Sequence, residues 1–223
     1  NMGWLSGIKV LDMCNVIAGP HSASYLARFG AEIIKFDPSV PMYDSWNTVM
    51  YGLSQGRGKR SILADSKSRH GHKVLEDLIK TVDVIVWNAP DSQIKRMGLD
   101  EESLRKLNPD ALFCKLDCYS GVRRGVRTDY IGYDDLVQAA TGIMLRFGGA
   151  MDRPEEHAHV GTIDVMCGFG GALGVAAALY QKYRHGRIGR GRTSLAANSG
   201  LLQIPFCYDY HGRGLFNEPT GPE

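Results

Sequence analysis

A chain of 223 residues, 43% hydrophobic and 22% charged, is long enough for one large or two small domains with a real core. A formal net charge of +2 excludes a polycation built for nucleic acid, and no run approaches the ~18 consecutive apolar residues of a membrane span. No basic-apolar signal pattern opens the chain. The cysteines, Cys14, Cys114, Cys118, Cys167 and Cys207, are odd in number and scattered among apolar neighbours, which predicts reduced thiols in a cytoplasmic protein.

Gly7 to Asp12 is a short run with β-branched residues and predicts a strand. Gly19-Pro20 opens a helix, since Pro suits a first turn, and Gly30 closes it. Ala31 to Phe36 predicts a second strand, which completes a βαβ unit with a right-handed crossover. Residues 37–58, with Pro38, Pro41, Gly52, Gly56 and Gly58, predict a long functional loop. Ser61 to Ala64 predicts a third strand. Val74, Leu75, Leu78 and Ile79 place a helix over 67–80. Val82 to Trp87 is a fourth strand, apolar almost throughout, as in buried parallel sheets. After Asn88-Ala89-Pro90, short helices are expected over 92–97 and 101–107, then a fifth strand over 110–116 and a helix over 133–140.

His159 to Asp164 reads as a short extended run that ends in one carboxylate, and a helix of Ala, Gly and Leu then runs to about Tyr183. Thr193 to Leu195 predicts a last short strand, and residues 205–223, rich in Gly and Pro, read as a linker leaving the domain. Strands that alternate with helices predict an α/β fold: an open, mostly parallel Rossmann-like sheet with helices on both faces, formed by residues 1–204.

Ligands of such sheets bind outside the carboxyl ends of the strands. That rule gathers Asn15 to Ala18, Phe36-Asp37, Asp65 and Asn88-Ala89. No G-x-G-x-x-G follows the first strand, and Gly58-Lys59 lacks the upstream glycine of a phosphate-binding loop, so a dinucleotide enzyme is disfavoured. Asp164 reads as a helix N-cap, held ionised by the helix dipole, which at an exposed site is worth roughly 0.3–1 kcal/mol. Taken alone this is ordinary capping. Asp134-Asp135 reads as a pair of solvated acids at a helix start. On an extended chain His157 and His159 share a face, and with Asp164 they could ligate a metal, which would suit a metal-dependent hydrolase.

Taken together these segments resemble the family III CoA-transferases, the formyl-CoA transferase and carnitine-CoA transferase (CaiB/BaiF) group. The matching pieces are Gly7 to Asp12 with Ala18-Gly19-Pro20, Phe29 to Lys35, Lys59 to Ile62, Asp83 to Val86 with Asn88, and Met97-Gly98-Leu99. Leu107-Asn108-Pro109, Tyr133 with Gln138-Ala139, Asp164, and Gly189-Arg190-Gly191 follow in order. The resemblance implies that Asp164 is the nucleophile, passing through aspartyl anhydride and aspartyl-CoA thioester intermediates while CoA moves from an acyl-CoA to a small carboxylic acid, with no metal. It implies that N–H groups at the start of the Asp164 helix serve as oxyanion donors. It also places CoA along Val16 and Ile17, near Phe36, past Ala64, over Asn88 and Ala89, and against Arg96, Met97 and Tyr133. Ile17, often Gln in the family, and Ile131, often Lys, are departures. Family members are longer, continue into a small domain, and form interlocked homodimers. The closing run from Pro205 to Pro219 looks most like the CoA-transferase-type dimethylsulfoniopropionate lyases, which implies a zwitterionic acceptor whose CoA ester loses dimethyl sulfide. Beside the transferase and the hydrolase stands a third reading, a non-catalytic CoA-binding or oligomerisation module.

Overall fold

The structure is a computed structural model that describes residues 3–145, 152–156, 161–204, 209–210 and 213–214. Its elements run β1 (Lys9–Asp12), α1 (Ala18–Arg28), β2 (Glu32–Asp37), α2 (Ser45–Gln55), β3 (Lys59–Leu63) and α3 (Arg69–Ile79). Next come β4 (Val84–Trp87), α4 (Asp91–Arg96), α5 (Glu101–Leu107), β5 (Leu112–Asp117) and α6 (Asp134–Thr141). The last are α7 (Thr162–His185), β6 (Arg190–Ser194), α8 (Leu195–Leu202), and the two-residue strands β7 (Asp209–Tyr210) and β8 (Arg213–Gly214).

β1 to β6 form one sheet in the order β3-β2-β1-β4-β5-β6, and every pairing is parallel. The expected α/β sheet is therefore present, parallel throughout. The order reverses between β1 and β4, whose register sets Leu11 beside Ile85. Successive strand residues face opposite sides, so each strand feeds two cores. Val10, Val84, Val86, Leu112 and Cys114 pack with α1 and α7, whereas Leu11, Ile85, Trp87 and Phe113 pack with α3, α4 and α5.

Two helices arise where none was expected. α2 fills half of the long loop, started by Asp44, whose side chain accepts from Asn47 N–H. α8 begins at Leu195, where Ser194 accepts from Ala197 N–H, so the predicted last strand ends one residue earlier. Of the expected linker 205–223, only the antiparallel pair β7–β8 belongs to the described residues.

The 24-residue α7 contains an 18-residue stretch long and apolar enough to cross a membrane by length and composition alone. The expectation that no segment approaches that limit therefore fails for α7. Counting consecutive apolar residues misses it because glycines interrupt the run. The helix is nonetheless built into the core. A Cβ at Gly168 would lie 2.9 Å from the His21 ring and 3.0 Å from the Ala18 carbonyl, and one at Gly171 would lie 3.0 Å from Leu116. Small residues on this face let α7 lie close along α1 and β5.

One charged pair is sealed into the structure. Lys59 Nζ lies 2.8 Å from Asp12 Oδ2, with both side chains at most 2% exposed, and it also donates to the Pro20 carbonyl at 2.7 Å. Asp12 Oδ1 accepts from Cys14 N–H. The pair thus ties the end of β1 and the first turn of α1 to the start of β3. In the full-length protein, Asp12→Ala should cost about 3–5 kcal/mol in urea unfolding, because it strands a buried ammonium. Asp12→Leu combined with Lys59→Met should recover most of that loss.

Candidate active site

The order reversal between β1 and β4 opens a crevice at their carboxyl ends, and two asparagines fix its walls. Asn15 N–H donates to Asn88 Oδ1 (3.1 Å), and Asn88 Nδ2 donates back to the Asn15 carbonyl (2.9 Å). The next residue, Val16, has φ +67°. A β-branched residue is strained in that left-handed region by on the order of 1–3 kcal/mol. Val16 lines two adjoining clefts.

The smaller cleft, about 70 Å³, is walled by Asn15, Val16, Asn88, Asp117, Tyr133 and Asp164, with Cys118 and Cys167 behind. The larger, about 420 Å³, opens between β2, β3 and α2 and includes Tyr43, Tyr51, Lys35 and Asp37. Among the residues expected from the sequence, Val16, Asn88, Tyr133 and Asp164 therefore share one cavity. Ile17 caps α1, and its Cδ1 comes within 3.2 Å of where a Gly161 Cβ would stand. Phe36 and Ala89 are buried in the α3–α5 core, Ala64 and Met97 pack against its edge, and Arg96 is exposed at the end of α4.

Asp164 is not the cap of α7. It is the third residue of the helix, and Gly161 stands at the cap position without a side-chain hydrogen bond. The capping is done by Asp134, which starts α6 and accepts from the backbone N–H of Asp164 (2.6 Å) and of Ile163. Asp134 is consequently buried and bonded to Gln138 Nε2, so it is no solvated acid; Asp135 beside it is exposed. The expected oxyanion donors at this helix start are also committed: Asp164 N–H to Asp134, and Val165 N–H to the Gly161 carbonyl.

The Asp164 carboxyl, with the residue only 7% exposed, lies against Gly161: a Cβ there would stand 2.9 Å from Oδ2. Only a glycine leaves that approach open. Burial, then the charges of Asp134 and Asp135, push its pKa up to about 7. The expectation of a dipole-held anion is thus reversed. Desolvation and two like charges outweigh a dipole whose N–H groups Asp134 has already claimed.

The thiols in the wall are poor nucleophiles by comparison. Burial pushes Cys118 up to about 11 and Cys167 well above its ordinary value, so neither is a thiolate near neutrality. Asp164, unlike these thiols, can be ionised near neutral pH while buried. Sequence reasoning missed three neighbours. Tyr43, whose hydroxyl burial pushes up to about 12, meets Val16 N–H from the long loop. Asp117 Oδ2 is buried without a hydrogen bond, although Lys115 Nζ stands 3.5 Å away. Gln55 lines the larger cleft and faces the carbonyls of Val16 and Ile17. No local motif marks any of them. His157 and His159 lie outside the described residues, and among the described residues no group of three His, Cys, Asp or Glu could hold a metal ion.

The raised pKa fixes a pH dependence of stability. Below about pH 4 the Asp164 carboxyl is neutral in both the folded and the unfolded chain. From there to about pH 7 unfolding releases its proton, so stability falls as pH rises. Above about pH 7 the full penalty stands, and a displacement from 3.8 to about 7 corresponds to about 4 kcal/mol. Asp164→Asn should therefore melt like the parent at pH 4 and progressively above it towards pH 8. A pH-independent difference in melting temperature would refute this account.

Comparison with known proteins gives the family. The family profile described as CoA-transferase family III matches residues 5–223. The chain is 53% identical over 221 residues to the CoA-transferase/lyase DddD of Marinomonas sp. (strain MWYL1), covering 99% of this chain and 26% of that protein. It is 34% identical over 196 residues to a succinate–glutarate CoA-transferase of Agrobacterium fabrum, covering 82% of this chain and 48% of the relative. A crystal structure of a CaiB/BaiF family protein from Brucella suis superposes with a TM-score of 0.81 at 28% identity, over 92% of this chain and 57% of that one. The chain thus spans between a quarter and a half of the length of these two curated relatives. With a sheet, a crevice and a profile match that agree over nearly its whole length, the chain belongs to CoA-transferase family III.

Proposed function

We propose that this chain is the nucleophile-bearing part of an enzyme that moves CoA from an acyl-CoA to an acceptor carboxylic acid. The observation that carries the reading is Asp164: a desolvated carboxyl with a pKa of about 7 on the wall of the switch-point crevice. Its carboxylate attacks the thioester carbonyl, forming a mixed anhydride and expelling CoA thiolate. The thiolate attacks the aspartyl carbonyl of the anhydride, which releases the donor acid and leaves an aspartyl-CoA thioester. The acceptor carboxylate attacks that thioester, giving a second anhydride and free thiolate, and the thiolate takes the acceptor acyl group. Asp164 is regenerated with no net proton or electron change. Splitting one exchange into four acyl transfers is the gain of covalent catalysis.

CoA would run from Val16 and Asn88 towards Met97, Arg96 and Ala64, with the acyl group at the meeting of the two clefts. The likeness to a CoA-transferase/lyase supports a lyase step after transfer, and with the closing run from Pro205 to Pro219 it fits dimethylsulfoniopropionate as acceptor, its CoA ester losing dimethyl sulfide. Exposed Phe169, Leu173, Tyr180 and Tyr183 on α7, with Leu201 on α8, fit an interlocked homodimer in which a partner covers them. The buried, unpaired thiols of Cys14, Cys114, Cys118 and Cys167 fit a cytoplasmic setting.

Two measurements on the full-length protein test this. Incubation with acyl-CoA followed by hydroxylamine should convert Asp164 to a hydroxamate detectable by peptide mass spectrometry, and Asp164→Ala should show none. Transfer in an Asp164→Ala protein, or labelling at another residue, refutes the assignment. The acid limb of kcat/KM should fall with an apparent pKa near 7, because the attacking carboxylate must be ionised. Asp134→Asn should move that limb to lower pH, since the Asp134 charge holds the Asp164 pKa up.

A further inference from the structure

α2 buries a single side chain among its eleven residues, and that side chain is polar: Gln55, at the last position. A helix attached by packing alone would bury an apolar residue there. Gln55 instead directs its amide into the turn between β1 and α1. With the amide turned so that its nitrogen rather than its oxygen faces these acceptors, Nε2 donates to the carbonyl of Val16 at 3.0 Å and to that of Ile17 at 3.3 Å. Its own backbone carbonyl accepts from Ser24 Oγ at 2.8 Å, which pins the end of α2 to α1.

The two carbonyls that Gln55 holds belong to the strained residue and to the one after it. Among the described residues, Val16 is the one non-glycine with positive φ. Nothing in its own side chain favours that conformation. A left-handed residue persists only where its surroundings over-determine it, and three contacts surround this one. Asn88 ties down Asn15, Tyr43 meets the Val16 N–H, and Gln55 takes both following carbonyls. Of the three, Gln55 alone reaches the carbonyl side of Val16, from its place in the wall of the larger cleft.

We propose that Gln55 is a positioning residue for the transfer reaction: its amide holds Val16 in the left-handed conformation that sets the crevice wall opposite Asp164. The proposal rests on the acyl-transfer reading of Asp164. If the amide is lost, Val16 relaxes towards negative φ and the peptide planes on either side of it turn. Such a turn displaces Ile17 from Gly161 and the Val16 wall from the thioester. The nucleophile and the CoA-binding surface further out are untouched, so the loss falls on the chemical step more than on binding.

A double-variant cycle in the full-length enzyme tests this, because glycine adopts φ +67° without steric cost. Gln55→Met keeps length and volume but offers no donor. With Val16 intact it should lower kcat about 10- to 100-fold while KM for acyl-CoA changes less, as expected when a reacting carbonyl is misplaced by about 1 Å. In the Val16→Gly background the same substitution should change kcat by no more than about twofold, the scatter expected of uncoupled sites. Equal losses in both backgrounds, no loss, or a loss confined to KM would overturn the proposal. Should Gln55→Met fail to fold, the double variant should fold, and failure of both overturns it as well. Inactivity of the parent enzyme would sink the reading of Asp164 instead. The cycle is then read in melting temperatures, where non-additivity supports the role of Gln55 in holding Val16 and additivity overturns it.

Discussion

The site depends on one hydrogen-bonded contact across the chain, the Asp134 carboxylate against the first-turn N–H groups of α7. A helix start buried without partners would leave costly orphan donors, and here the chain supplies the acceptor from thirty residues upstream. The contact fixes where α7 begins and so where Asp164 points. It also brings a negative group beside the Asp164 carboxyl. Stabilising the helix and raising the Asp164 pKa are two results of the same placement. A neutral cap such as Ser could do the first without the second.

Around that contact the sheet does the remaining positioning. A parallel sheet with this strand order has one place where neighbouring connections diverge, and the Asn15–Asn88 exchange of hydrogen bonds lies there. α7 can approach the same place because Gly168 and Gly171 present no Cβ to α1 and β5. The buried Lys59–Asp12 pair, meanwhile, braces the end of β1 from below. An ion pair sealed this fully adds little net stability over apolar packing. What it does supply is a fixed register between the end of β1, the first turn of α1 and the start of β3.

How much of this could be read from the residues follows from whether the cause is local. β1, β4 and β5 were legible because strands buried on both faces are continuously apolar, and α3 because its apolar positions recur at helical spacing. α2 was hidden by Pro38, Pro41, Gly52 and Gly56, and by exposed Trp46, Val49, Met50 and Leu53, which give it no polar face to read. α8 was hidden by its brevity. Asp164 was found by family likeness and by its place before a helix, yet its electrostatics were misjudged. The local rule saw an acid near a helix N-terminus and could not see that Asp134 already held that position. Gln55 was invisible for the same reason: its partners, Val16 and Ile17, are distant in sequence, and an amide at a helix end carries no signal of its own.

On the acyl-transfer reading, the raised pKa of Asp164 is more than a condition for ionisation. Burial penalises the free carboxylate relative to its neutral forms, and protonation is only one way of becoming neutral. An aspartyl anhydride and an aspartyl thioester carry no charge on the carboxyl either. The desolvation and the like charges of Asp134 and Asp135 that together disfavour the anion, about 4 kcal/mol by the displacement of its pKa, therefore favour the acylated enzyme over the resting one by a comparable amount. The charge does not vanish, because each acylation expels a thiolate or a carboxylate that must be held or hydrated elsewhere. Solvent outside the crevice can do that, whereas the pocket around Gly161, Ile17 and Cys167 cannot. A dry nucleophile beside a wetter leaving-group site thus drives charge outward in the first of the four transfers and inward in the last. A pKa left near neutrality despite that burial keeps both directions of the exchange open.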